Sequence, residues 1–171
     1  MIVTIEPRSL PTDALLQRYC GAGNFTDCLT AVVPGAVPFA AFVTAFFTSS
    51  AFRPERVLLA VLFNKPSPAA DLARLASGEG ERFAAWTVEA RAANQLLLCD
   101  FQGATRTWLM TCDDPANGGT RLCFGSAVVL NHQTGRAKAV GRALFWALLW
   151  FHKAYARMLL RSAVRQLNSC S

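Results

Sequence analysis

The spacing of apolar and polar positions changes period three times along this 171-residue chain. After a polar lead-in over residues 1–24, β-compatible residues over 25–33 run up to Pro34-Gly35, which predicts a first strand closed by a turn. Residues 38–47 form an apolar helical run. Thr48-Ser49-Ser50 then offers a cap, and a second helix is expected over 52–63, with Pro54 tolerable in its first turn. Asn64-Lys65-Pro66 ends that helix, and 71–77 adds a short helical turn before Gly78-Glu79-Gly80.

From Arg82 the period becomes two, and four strands follow over 83–91, 95–101, 105–112 and 120–130. Their joints are too short for crossovers, so neighbours must run antiparallel. Alternation puts Trp86 and Val88, Trp108 and Met110, and Leu122, Phe124, Ser126 and Val128 on one apolar side. Thr87, Glu89, Thr105, Thr107 and Arg121 fall on the other. One side of the sheet therefore needs a cover.

Residues 136–167 supply it: a helical segment without interior proline that would run ~45 Å. On a helical wheel Leu144, Phe145, Leu148, Phe151, His152, Tyr155, Leu159 and Ala163 share one face, directed at the sheet. Arg142, Lys153, Arg157, Arg161 and Arg165 lie opposite, with Trp146 and Trp150 among them, so the outer face is itself half apolar. No repeat or linker divides the chain, and residues 1–171 are expected to form a single α+β domain.

Composition refines this picture. With 53% hydrophobic and only 16% charged residues, the chain has the makings of a well-filled core and excludes disorder. Charge is unevenly placed: up to Asp114 there are nine Lys/Arg against eleven Asp/Glu, and beyond it eight Lys/Arg and no acid. That asymmetry suits nucleic acid, an anionic membrane surface or an acidic partner. No zinc-finger spacing, RNA-binding aromatic motif or basic loop accompanies it, so nucleic acid is not expected. The six cysteines form no C-x-x-C pair and there are only two histidines, so neither a metal nor another cofactor is expected. Without a secretory pattern at the N-terminus, reduced thiols and a cytoplasmic location are the expectation. The apolar run at 143–151 is well short of the ~20 residues that cross a bilayer.

Strand, two helices, antiparallel meander and long terminal helix is an order that resembles the helix-grip arrangement of the START-like superfamily, which includes plant pollen allergens and bacterial polyketide cyclases. Three stretches are similar to a bacterial family of START-like domains. They are Phe46-Phe47-Thr48-Ser49-Ser50-Ala51-Phe52-Arg53, Leu122-Cys123-Phe124-Gly125-Ser126-Ala127-Val128, and Phe151-His152-Lys153-Ala154-Tyr155-Ala156-Arg157-Met158-Leu159-Leu160. The resemblance implies a curved sheet gripping the long helix around a hydrophobic cavity. It implies no established activity.

Candidate chemistry follows from these placements. His152, on the sheet-facing side, has the imidazole of a base or a ligand's hydrogen-bond partner, and Tyr155 brings a hydroxyl to the same region; the plainer alternative for both is core packing. Arg106 alternates with Trp108 and Met110, where a guanidinium could anchor an acidic group, unless it is simply solvated. Ser126 could orient a polar atom, but Phe124-Gly125-Ser126 is not a nucleophile elbow. The leading expectation is a pocket for a small hydrophobic or lipid-like ligand lined by Trp86, Arg106, Trp108, Met110, Phe124, Ser126, Leu148, His152, Tyr155 and Leu159. An alternative is a cyclase- or hydratase-like enzyme using His152 or Tyr155. A third is an interaction module, a homo-oligomer or a peripheral membrane contact, working through Arg142, Trp146, Trp150, Lys153, Arg157 and Arg161.

Overall fold

The computed structural model describes residues 4–21, 24–54, 68–116 and 118–129, and the helix backbone over 140–169 with side chains from 154 onward. It is an α+β structure. The chain runs through β1 (Glu6–Pro7), a 3-10 helix η1 (Leu15–Tyr19), β2 (Phe25–Pro34), α1 (Phe39–Thr48), α2 (Ala69–Ser77), β3 (Arg82–Phe83), β4 (Trp86–Ala92), β5 (Gln95–Asp100), β6 (Thr105–Asp114), β7 (Gly119–Val128) and α3 (Val140–Ser169). Of the second expected helix, only the residues up to Pro54 are described. No described helix is long and apolar enough to cross a membrane.

Seven strands form one antiparallel sheet in the order β1-β2-β7-β6-β5-β4-β3. The meander is as expected from its short joints. Its closing step is the return of β7 beside β2, paired over ten positions from Phe25↔Val128 to Pro34↔Gly119. The strand expected at 83–91 is instead broken into β3 and β4 by a two-residue turn at Ala84-Ala85, where Ala84 adopts φ 51°. Nothing in an Ala-Ala pair signals a turn, which is why the break is not evident in the sequence.

One face of the sheet carries the larger core. Leu29, Ala31 and Val33 of β2, Leu96 and Leu98 of β5, Leu109 of β6, and Leu122 and Phe124 of β7 meet α1, α2 and α3 there. Helix α1 is apolar almost all round because it packs against the sheet and against both α2 and α3. Its phenylalanines interlock with the sheet, Phe46 to Phe124 at 4.9 Å and Phe47 to Phe83 at 5.1 Å between ring centroids. Helix α2 ends at Gly78, whose φ of 91° suits the left-handed cap that glycine adopts without strain. Arg91 of β4 donates to Leu75 O and Gly80 O, satisfying carbonyls at that helix end.

The sheet's other face is also covered, which corrects the one-sided expectation. Leu16 of η1 is fully buried against Trp108, Met110, Leu97, Cys28, Cys123 and Ala127. The lead-in is thus part of the fold: β1 pairs with β2, and Gln95 accepts from Leu15 N–H and Trp108 Nε1 while donating to Asp13 O. Gly125 is what lets this layer close, since a Cβ there would lie 2.9 Å from both Leu16 and Trp108 and 2.7 Å from Asp27 O.

Candidate functional site

A cavity of about 230 Å³ lies between the sheet and α3. Its position follows from the local sequence. Trp86 and Phe124 project from alternate positions of β4 and β7 on the helix-facing side, and the inward stripe of α3 supplies Tyr155, Ala156 and Leu159. Phe46 of α1 and Phe52, just past the helix's C-cap at Ser49, line it as well. The rings of Phe46, Phe52, Trp86, Phe124 and the half-buried Tyr155 dominate the wall, and Thr105, Arg106, Thr107 and Ser126 supply its polar side.

Five of the expected lining residues, Trp86, Phe124, Ser126, Tyr155 and Leu159, meet here, and Arg106 borders the cavity at the start of β6. Two do not. Trp108 and Met110 belong to the core beneath η1, because β6 is apolar at both parities and it is Leu109, between them, that faces the helices. The side chains of Leu148 and His152 fall outside the described residues, as do those of Arg142, Trp146, Trp150 and Lys153. Arg157 and Arg161 are exposed on the outer side of α3.

Arg106 keeps the parity of Trp108 and Met110, and its guanidinium is engaged with this chain's own groups. Nε donates to Glu89 at 2.5 Å and to Tyr19 Oη at 2.9 Å, NH1 donates to Gly103 O at 2.9 Å, and the guanidinium lies over the Tyr19 ring. Glu89 reaches it because a bulge between Val88 and Ala90 puts both Glu89 and Ala90 toward the η1 side. Burial works against the charge on Arg106, but the bonds from Tyr19 and Glu89 hold it firmly protonated, with its pKa raised. The Tyr19 hydroxyl, which donates to Glu89, is pushed above its ordinary range, first by burial and then by that carboxylate. This network ties the lead-in to the meander. It does not leave a bare cation for an acidic ligand.

Ser126 is 3% exposed, and both its hydroxyl and its backbone N–H donate to Asp27 Oδ1 across the β2–β7 pair. Asp27 is not among the expected site residues, although a signal exists: it occupies the same parity as Phe25, Leu29, Ala31 and Val33, an acid on the core side of a strand. The pattern of the sequence does not single out Tyr19, Glu89 or Gln95 either, because they find partners distant in sequence.

No protein-family model, curated protein or solved structure matches this chain. Among the described residues no cluster of histidines, cysteines or carboxylates has the arrangement of a metal site. The buried thiols of the η1 side act on one another: the bond between Cys28 and Cys123 lowers Cys28, while that bond and burial raise Cys123. What the site between sheet and helix can do is enclose an apolar body and orient one polar end.

Proposed function

We propose that this chain is a helix-grip binding domain, START-like in arrangement, that takes up a small hydrophobic molecule between its sheet and its long C-terminal helix. The observation that carries the reading is the aromatic cavity bounded by Trp86, Phe124 and Leu159, with Ser126 and Tyr155 at its wall. Support comes also from the antiparallel strand order, with β7 returning beside β2 and α3 lying against the same face. A few polar groups in an otherwise apolar enclosure fix orientation rather than supply most of the affinity.

Size narrows the ligand. A water's share of liquid is ~30 Å³, so the cavity corresponds to about eight waters. It is smaller than the ~300–1,000 Å³ common for drug-sized ligands. A single aromatic ring system or short branched chain fits better than a long acyl chain. Binding such a molecule removes apolar surface from water at about 25 cal/mol per Å², and the aromatic side chains add dispersion contacts.

Native mass spectrometry of the purified full chain is the test. A co-purifying apolar molecule, displaced when Phe124→Ala or Leu159→Ala alters the wall, is the expected result. Protein that arrives free of any such molecule, and that fails to protect a small aromatic probe from solvent, would overturn the reading. Tyr155→Phe keeps the shape of the wall and should retain binding, with reduced preference for ligands carrying a hydrogen-bonding end.

A further inference from the structure

The outer face of α3 has a character of its own. In the half of the helix whose side chains are described, Tyr155, Ala156, Leu159, Leu160 and Ala163 turn inward, and Arg157, Met158, Arg161 and Arg165 are exposed. The three arginines follow one another at four-residue spacing, a row of ~12 Å along the axis. Met158 beside them is 50% exposed. Among the described residues none of the three takes part in an ion pair.

A helix face that merely meets water ordinarily mixes signs, and like charges at i, i+4 disfavour the helix. The helix itself supplies no acid to answer them: α3 carries Arg142, Lys153, Arg157, Arg161 and Arg165, and no Asp or Glu occurs after Asp114. The C-terminal dipole compensates mainly the arginine nearest the helix end. Beside Arg157 a cleft of about 320 Å³ opens along β2, with Arg8 also lining it and Phe25 and Leu29 as apolar floor. Its acid, Asp27, is held by Ser126, and Arg8 is paired with Glu6.

We infer that this face of α3 docks on the surface of an anionic lipid bilayer, its arginines among headgroup phosphates and Met158 and the cleft floor against the acyl boundary. Charge complementarity selects an anionic surface. The apolar components select lipid over a nucleic-acid backbone, which would leave Met158 and the Phe25 floor in water. Docking stands on its own, but its consequence rests on the cavity reading: the inner side of the same helix walls the cavity, so docking would bring the pocket to a source of apolar molecules.

The experiment is co-sedimentation of the full chain with vesicles of phosphatidylcholine alone and of phosphatidylcholine with about a third phosphatidylglycerol. Binding is expected to the anionic vesicles only, and to fall at least tenfold between about 0.05 and about 0.5 M salt. Arg157→Gln, Arg161→Gln and Arg165→Gln combined should lower it at least tenfold, whereas Arg18→Gln, Arg74→Gln and Arg82→Gln, which remove equal charge elsewhere, should leave most of it. No sedimentation with anionic vesicles, equal loss in both triple variants, or binding to mixed-sequence single-stranded RNA without vesicle binding would overturn the inference. Ligand capture measured on the same variants is independent: its persistence after vesicle binding is lost separates failure of docking from failure of the cavity reading.

Discussion

Replacing Ala156 by Leu asks directly whether the space between sheet and helix is available. Ala156 is 1% exposed, sits on the inward stripe of α3 and borders the cavity. The substitution adds three carbons, each needing ~30 Å³, so about 90 of the 230 Å³ would be filled. Burying them contributes roughly 0.8 kcal/mol each, from which about 0.5–1 kcal/mol is lost to fixing the leucine rotamer. Helix propensity changes little, since leucine ranks close to alanine. The net is a stabilisation of about 1–2 kcal/mol, a rise in Tm of about 2–8 °C for a chain of this length. In a closely packed interior the same change would instead cost about 1–3 kcal/mol by overpacking, so the sign of the effect is decisive. Thermal and urea unfolding of the ligand-free protein would measure it, with native mass spectrometry following the bound molecule. Higher stability together with loss of ligand is the expected pair of results. Lower stability would refute the existence of usable space there, and unchanged ligand binding in a stabilised variant would refute its use.

Other consequences follow from the second face of the sheet. Leu16→Ala should cost about 2–5 kcal/mol in urea unfolding, because Leu16 is fully buried over Trp108 and Gly125; a loss within experimental error would mean the lead-in is not part of the cooperative fold. Gly125→Ala should destabilise by about 1–3 kcal/mol despite alanine's lower backbone entropy, since Asp27 O, a backbone atom 2.7 Å from the new Cβ, cannot step aside cheaply. Gln95→Leu strands the Trp108 and Leu15 N–H groups and the Asp13 carbonyl and should cost several kcal/mol in urea unfolding; a loss within experimental error would count against the Gln95 network. The raised pKa of Tyr19 means that its contribution to stability is fully present below its unfolded value of 10.0 and is lost as pH rises through the higher folded value. Wild type should therefore lose Tm more steeply above about pH 10 than Tyr19→Phe, and parallel profiles would count against the Tyr19–Glu89 contact.

Much of the architecture can be read along the chain because it is encoded locally. A period of two followed by short joints defines the meander, and a period of 3.6 without acids on one side fixes which way α3 turns: Tyr155, Leu159 and Ala163 inward, Arg157, Arg161 and Arg165 outward. Trp86, Phe124 and Ser126 share a parity on their strands and so reach the cavity wall as expected. What could not be read there depends on pairing between distant segments. The central strands β5 and β6 are apolar at both parities, so alternation cannot say whether Trp108 or Leu109 faces the helices; the bulge at Glu89 and the docking of Leu16 decide it. Ser126 meets Asp27 across 99 positions and Arg106 meets Tyr19 across 87, through strand register in one case and the folding-back of η1 in the other. Local periodicity assigns each segment its element and inward side. Which buried polar group finds which partner is fixed only when the sheet assembles, because unmade hydrogen bonds in the interior penalise every other arrangement.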